Sequence, residues 1–427
     1  MSLVFYMGGG GSFVRLSKIE IVSPPTKTSY KHGEQFSSAG MTVRATYSNG
    51  AAKMVTNFTC LPSRALKFTD EKITVVYAEN GITRSAEQSI SVGSPVVITD
   101  VRQIPYTYNL KGCGKHNDQY LMVGNDANWN IYGTIAPVSG QVNNFKMNVS
   151  GTYPAAGMLV TDTRVDIPVT NKYGGTIYKS RYKIALTVAD FLAKKQGFQA
   201  TFAANVRMNC ITEGGNGYIY TGGKSANGES CIAYVSKSAS VSTNLTALGL
   251  GSEGEIIDIA SCKDSTGASH LAALTENDKI LLKDLNTSGG LSGLAIIQLS
   301  NAVKVGMLPD DTKMYRCACV HKTSSNDFYL WSQNPDRAKN KPSHPAITSG
   351  NSTILGVGAI DNYAIVVFAD AAGNAKIYVN EDWEHGKTYS LNALAPLAMC
   401  KIPNGIGVIC KTSTTNTLVI KEITLAA

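Results

Sequence analysis

Side chains able to do chemistry are present in this chain, but few stand at spacings that a reaction requires. The six histidines, His32, His116, His270, His321, His344 and His385, form no HExxH or HxH pair, and none lies beside a G-x-S-x-G turn. Such isolated histidines read as solvated or hydrogen-bonded residues. Asp126, Asn128 and Asn130 alternate as the first ligands of a calcium loop do. The sixth place of that loop is Ile131 rather than Gly, and the twelfth is Pro137 rather than Glu, so the stretch reads as a polar turn. Asp370-Ala-Ala-Gly-Asn374 reads likewise as a hairpin turn. Glu253, Glu255, Asp258 and Asp264 are the nearest approach to an acidic cluster, and a glycosidase would need two carboxyls at a set separation. These patterns point to no enzyme, no cofactor and no metal centre.

The nine cysteines, Cys60, Cys113, Cys210, Cys231, Cys262, Cys317, Cys319, Cys400 and Cys410, contain no CxxC pair and have no histidine at zinc-ligand spacing. Their number is odd and most sit in apolar runs. They read as buried thiols of a chain made in a reducing compartment. The aromatic residues carry more promise. Trp129, Trp331, Trp383, Tyr132 and Tyr363 are candidate contacts for a glycan or a protein partner, with Tyr106 and Tyr108 beside them. The competing reading is ordinary core packing.

The elements that must position these residues are strands. Charged residues are only 16% of the 427, with 40 Gly and 20 Tyr. That balance disfavours coiled coils, all-α folds and disorder. The net charge of +8 is spread thinly, with no basic run longer than two residues, so nucleic acid is not expected as a partner. No run of 18 apolar residues is present, so membrane insertion by a helix is not expected either.

Residues 17–94 read as a small all-β domain. Met41, Val43, Ala45 and Tyr47 alternate with polar residues, and Ile73, Val75 and Tyr77 repeat the pattern. Ser48-Asn49-Gly50 and Glu79-Asn80-Gly81 supply hairpin turns. The run Pro25-Thr26-Lys27-Thr28-Ser29-Tyr30-Lys31-His32-Gly33-Glu34-Gln35-Phe36 is followed by Gly40-Met41-Thr42-Val43-Arg44-Ala45-Thr46-Tyr47 and then by Val75-Val76-Tyr77-Ala78-Glu79-Asn80-Gly81. In this order the three stretches resemble the bacterial Ig-like domain family. The resemblance implies a β-sandwich that serves as a spacer or adhesive module on bacterial surface proteins and phage tail proteins. It implies no catalysis.

Residues 95–427 repeat short apolar strands about every 48 residues, separated by turns of Asn, Asp, Gly and Ser. This spacing predicts a β-propeller of six or seven blades, with tandem β-sandwiches as the alternative. The stretch from Thr187 to Gly197 predicts one helix inserted between blades, capped by Thr187 at its start and by Gly197 at its end.

Residues 1–16 form an arm and a four-glycine hinge. Leu3, Val4, Phe5 and Tyr6 are candidates for attachment to a neighbouring subunit. The N-terminus lacks the basic and long apolar regions of a signal peptide. Together these features predict an all-β, multicopy virion structural protein of a phage or phage-tail-like particle, assembled in the host cytoplasm and released by lysis. Its arm would bind other virion proteins, and its C-terminal domain would bind host surface glycan or neighbouring subunits. The alternatives are a surface adhesin exported by a non-standard route and a propeller glycan hydrolase.

Overall fold

Alternation of apolar and polar residues becomes strand through most of the described residues. The computed structural model describes residues 14–147, 152–154, 157–171, 182–195, 200–201, 206–225, 227–240, 246–310, 314–333, 341–342, 346–381 and 385–426. Its contacts separate two compact units, Met1–Pro95 and Val96–Ala427. Among the described residues no helix is long and apolar enough to cross a membrane.

The first unit contains two three-stranded antiparallel sheets. One orders Leu16–Ser23, Thr42–Tyr47 and Ala52–Val55; the other orders Thr59–Leu61, Lys72–Glu79 and Ile82–Ser89. Leu16, Ile19, Val43, Ala45 and Val55 from the first share one core with Val75 and Tyr77 from the second. The turn at Asn80-Gly81 has φ of 48° and 76°, the positive pair that suits strand twist. The long motif around Tyr30 ties itself together. Gly33, at φ 82°, donates its N–H to Leu66 O, and Tyr30 Oη donates to Lys27 O at 2.7 Å. Glu34 accepts from Lys27 Nζ and from the Lys31 N–H. These motif residues hold a corner of the fold in place.

Among the described residues the second unit contains seven consecutive antiparallel sheets, with strands falling within 109–147, 152–201, 206–249, 256–298, 302–349, 353–394 and 396–425. Each offers four strand positions. In the second sheet the first position is filled by two pieces, Thr152–Pro154 and Leu159–Val160, both paired with Arg164–Asn171. The seventh sheet takes its fourth strand from the start of the unit. Val96–Pro105 pairs antiparallel with Thr417–Leu425, from Val96 opposite Leu425 to Pro105 opposite Thr417. The first strands of successive sheets pack against one another, and the first strand of the seventh packs on that of the first, so the circuit closes.

This arrangement buries both faces of each sheet. Tyr363–Ala369 is buried at every residue, as is Ser269–Thr275. The apolar cores lie between neighbouring sheets. Leu121, Val123 and Phe145 of the first meet Val165, Ile167 and Ile184 of the second; Leu308, Val320 and Leu330 of the fifth meet Val366, Phe368 and Tyr378 of the sixth. Six of the seven first strands carry a register shift near their start, beside Leu110, Met208, Ile256, Ala302, Ile354 and Pro396. Bulges at one repeated place strengthen local twist where the strands converge.

Polar groups also tie neighbouring sheets. Arg164 and Asp166 form a fully buried pair in the second sheet, at 3.1 Å, and Arg164 Nη1 donates to Ala239 O beyond the third strand of the next sheet. Across the closure, Glu422 Oε1 accepts from Lys115 Nζ at 2.6 Å and from Tyr120 Oη at 2.8 Å.

The helix is shorter than its sequence suggests, Val188–Leu192. Thr187 accepts from the Asp190 N–H, as expected, and Val188 and Phe191 enter the core between the first two sheets. It ends because Lys194 takes φ 57°; Gly197, expected as the cap, lies outside the described residues. The helix sits between the third and fourth strands of the second sheet, so the expectation of an insertion between two sheets is corrected.

Candidate functional site

Among the described residues, seven hairpins of the second unit share one turn. The first of five residues donates its N–H to the fifth, and the fourth donates back to the first. The fourth residue must therefore take a left-handed conformation. It is Gly217, Gly228, Gly267, Gly289 and Gly373 in five of the turns, and Asn326 in a sixth. In the turn Asp126–Asn130 it is Trp129, at φ 64°. Glycine accepts this conformation freely and asparagine tolerates it, whereas a large aromatic residue there is strained by about 1–3 kcal/mol. Trp129 is nevertheless 45% exposed.

The rest of the hairpin supports this projection. Asp126 Oδ1 accepts from the Asn128 and Asn130 N–H groups, at 2.9 and 2.8 Å, and Oδ2 accepts from Asn130 Nδ2 at 2.7 Å. These donors, the Asn130 amide foremost, hold the Asp126 carboxyl below its ordinary range. The Tyr132 hydroxyl donates to Asp126 Oδ2 at 3.4 Å, and its ring stacks on Tyr108 with centroids 4.1 Å apart. Tyr108 meets Tyr106 edge-on at 5.5 Å. Tyr106 is 4% exposed and Asn125 3%. Asn125 Oδ1 is buried without a hydrogen-bond partner among the described residues. A stacked tyrosine pair and a fixed carboxylate thus meet at one hairpin.

The other candidate aromatics do not join this group. Tyr363 begins a strand of the sixth sheet and is 7% exposed, and burial pushes its phenol up to about 12. It is a packing residue, so its candidacy as a stacking contact is corrected. Trp331 lies in the fifth sheet opposite Cys319, with its side chain outside what is described. Trp383 and the arm residues Leu3, Val4, Phe5 and Tyr6 also fall outside the described residues.

The acidic cluster resolves into separate structural roles. Glu253 pairs with Lys279 at 2.5 Å, and Glu255 accepts from Asn209 Nδ2 at 2.6 Å. Asp258 Oδ2 accepts from the Val305 N–H at 3.0 Å, and burial raises its carboxyl against the pull of Lys304. Asp264 and Asp284 lie on either side of His270, at 3.1 Å from Nε2 and 2.8 Å from Nδ1. Nothing in the sequence signals that last grouping, because the turn and the two strands meet only in the sheet. Burial pushes the thiols of Cys231 up to about 11 and of Cys262 and Cys410 up to about 12, which keeps them protonated and poorly nucleophilic. Among the described residues no cluster of three or more His, Cys, Asp or Glu could hold a metal.

The Asp370 turn gives a pH test of the shared hairpin. Lys376 above all, with the Asn374 N–H, lowers the Asp370 carboxyl to about 2. A depressed carboxylate stabilises the fold above its unfolded pKa of about 4 and loses that contribution as pH falls through the folded value. Asp370→Asn is therefore expected to lower the melting temperature at pH 6, with the gap to the parent closing between about pH 4 and pH 2. Thermal scans across that range check it; a pH-independent gap contradicts it.

No family model matches the chain, and no curated protein matches it. Among solved structures it is similar to a chain described as "Crystal Structure of Mitotic Checkpoint Complex". The identity is 14% and the TM-score 0.49, over 78% of this chain and 96% of that one. So distant a likeness carries no argument.

Proposed function

We propose that the second unit is a seven-bladed β-propeller and the first a bacterial Ig-like β-sandwich. Together they form a multicopy structural or receptor-binding component of a phage or phage-tail-like particle. The observation that carries this reading is a closed circuit of seven sheets that lifts a strained, exposed aromatic on one hairpin. Strain persists where the surrounding fold over-determines it and where it serves a function. A rigid closed scaffold with variable hairpins suits recognition. Glu253, Glu255, Asp258 and Asp264, by contrast, are engaged in hydrogen bonds and ion pairs that hold the fold.

The particle assignment draws on the resemblance of the first unit to spacer modules of phage tails and bacterial surfaces. Residues 1–13 would attach the chain to other virion proteins. The propeller would face a host-surface glycan or a neighbouring subunit. Many copies would multiply weak single contacts. Mass spectrometry of gradient-purified particles from the source strain is expected to recover peptides of both units at multicopy abundance. Their absence from particles, with the protein present in the lysate, would sink the assignment.

A further inference from the structure

We propose that Cys113 and Cys400 are a redox latch: they join as a disulfide that locks the closure of the ring once the folded chain meets an oxidising medium. Cys113 lies in the first strand of the first sheet, Asn109–His116, and Cys400 in the first strand of the seventh, Pro396–Ile402. Both side chains enter the one core that forms where these two sheets meet. Neighbouring first strands press closely at this place in the circuit. Cys400, Gly114 and Gly306 hold one repeated position, two residues beyond Ala398, Gly112 and Lys304, where pairing resumes after the register shift. Cys113 and Val357 each stand one residue beyond that point in their own sheets. A Cβ at Gly306 would lie 2.8 Å from Val357 Cβ, and one at Gly114 would lie 2.5 Å from Val160 Cβ. With side chains at both places, a small separation of the strands gives the about 3.5–4.5 Å between Cβ atoms that a disulfide spans. The sulfurs meet as well. Cys113 donates its S–H to Cys400, and this bond first and burial second push the Cys113 thiol well above its ordinary range. Cys210, Cys231, Cys262 and Cys319 instead donate to backbone carbonyl oxygens.

Cys400 is the less buried of the pair and reacts first. Its thiolate attacks one sulfur of a small-molecule disulfide, such as oxidised glutathione. One glutathione leaves, takes up the proton that Cys400 gave, and a mixed disulfide remains. Cys113 Sγ then attacks Cys400 Sγ, and its proton goes to the second departing glutathione. Two protein thiols are oxidised and one glutathione disulfide is reduced to two thiols. Inside a reducing cell the latch stays open. It is indifferent to what the ring binds. A cross-link across so long a loop restricts the unfolded chain strongly and so stabilises the closed ring.

The full chain is purified under reductant, moved into oxidised glutathione, quenched with acid and alkylated in denaturant, so that every remaining thiol is labelled. Digestion without reductant and mass spectrometry are expected to give one dominant cross-linked peptide pair, joining Cys113 to Cys400 and lighter than its parts by one pair of hydrogens. The oxidised chain is expected to melt roughly 5 °C or more above the reduced chain, and dithiothreitol to return it to the reduced value. Cys400→Ala is expected to lose the oxidative shift; if that variant folds poorly, the peptide map of the parent decides alone. The proposal is overturned if both thiols remain labelled at saturating oxidant, if a mixed disulfide persists on Cys400, or if the dominant cross-link runs through another cysteine. A Cys113–Cys400 bond that leaves the melting temperature unchanged overturns it too. None of these results bears on the virion assignment, which the particle test decides.

Discussion

Arg164→Leu is expected to cost the second unit about 3–5 kcal/mol of unfolding free energy. Arg164 and Asp166 are 2% and 0% exposed, joined at 3.1 Å between Nη2 and Oδ1 and at 3.3 Å between Nε and Oδ2. The arginine also reaches Ala239 O at 2.7 Å. Removing it takes two guanidinium hydrogen bonds from a buried carboxylate. It also cuts a tie between the second and third sheets. The loss exceeds the net worth of the pair, because most of it is the penalty on the partner left behind. Chemical denaturation of the full chain checks this, with the effect falling on the transition of the second unit. Lys72→Ala serves as the control. Lys72 and Glu87 pair at the surface of the first unit, 58% and 57% exposed, and their loss is expected to leave both transitions within error.

The second large effect concerns the glycines of the innermost strands. Turns explain only part of the chain's glycine content. Gly306 has ordinary backbone geometry but stands where the sixth sheet presses on the fifth. A Cβ there would lie 2.5 Å from Val357 Cγ1 and 2.8 Å from Val357 Cβ. Gly112 is tighter, with backbone atoms of Gly157 at 2.6 and 2.7 Å from the added carbon. Gly306→Ala is expected to cost about 1–3 kcal/mol by overpacking, and Gly112→Ala more, because backbone yields less than a side chain. Val357→Ala combined with Gly306→Ala should return part of the loss, with a coupling of at least about 0.5 kcal/mol in a double-mutant cycle. Strict additivity would mean that the two residues do not compete for one space.

Much of this molecule is written in local pattern. Strand alternation in the first unit and the strand repeat of the second are legible because burial on one face or both leaves a direct trace in sequence. The strain at Trp129 was legible too, by a comparison the aromatic census alone does not make. Asp126-Ala-Asn-Trp-Asn130 matches Asp370-Ala-Ala-Gly-Asn374 with tryptophan in the glycine's place. What could not be read depends on contacts between distant segments. The Val96–Pro105 strand completes a sheet with residues more than three hundred positions later. Tyr363 could not be told from a surface aromatic until its sheet was seen packed on both sides. The end of the helix was misplaced because Lys194 adopts a conformation usually left to glycine.

The central claim is that the ring is an outward-facing recognition head. Host cells preincubated with an excess of the purified chain, then mixed with particles, test it most directly. Free particles are expected to remain in the supernatant because their receptor is occupied. Particle adsorption unchanged by the parent chain at saturating concentration would contradict it.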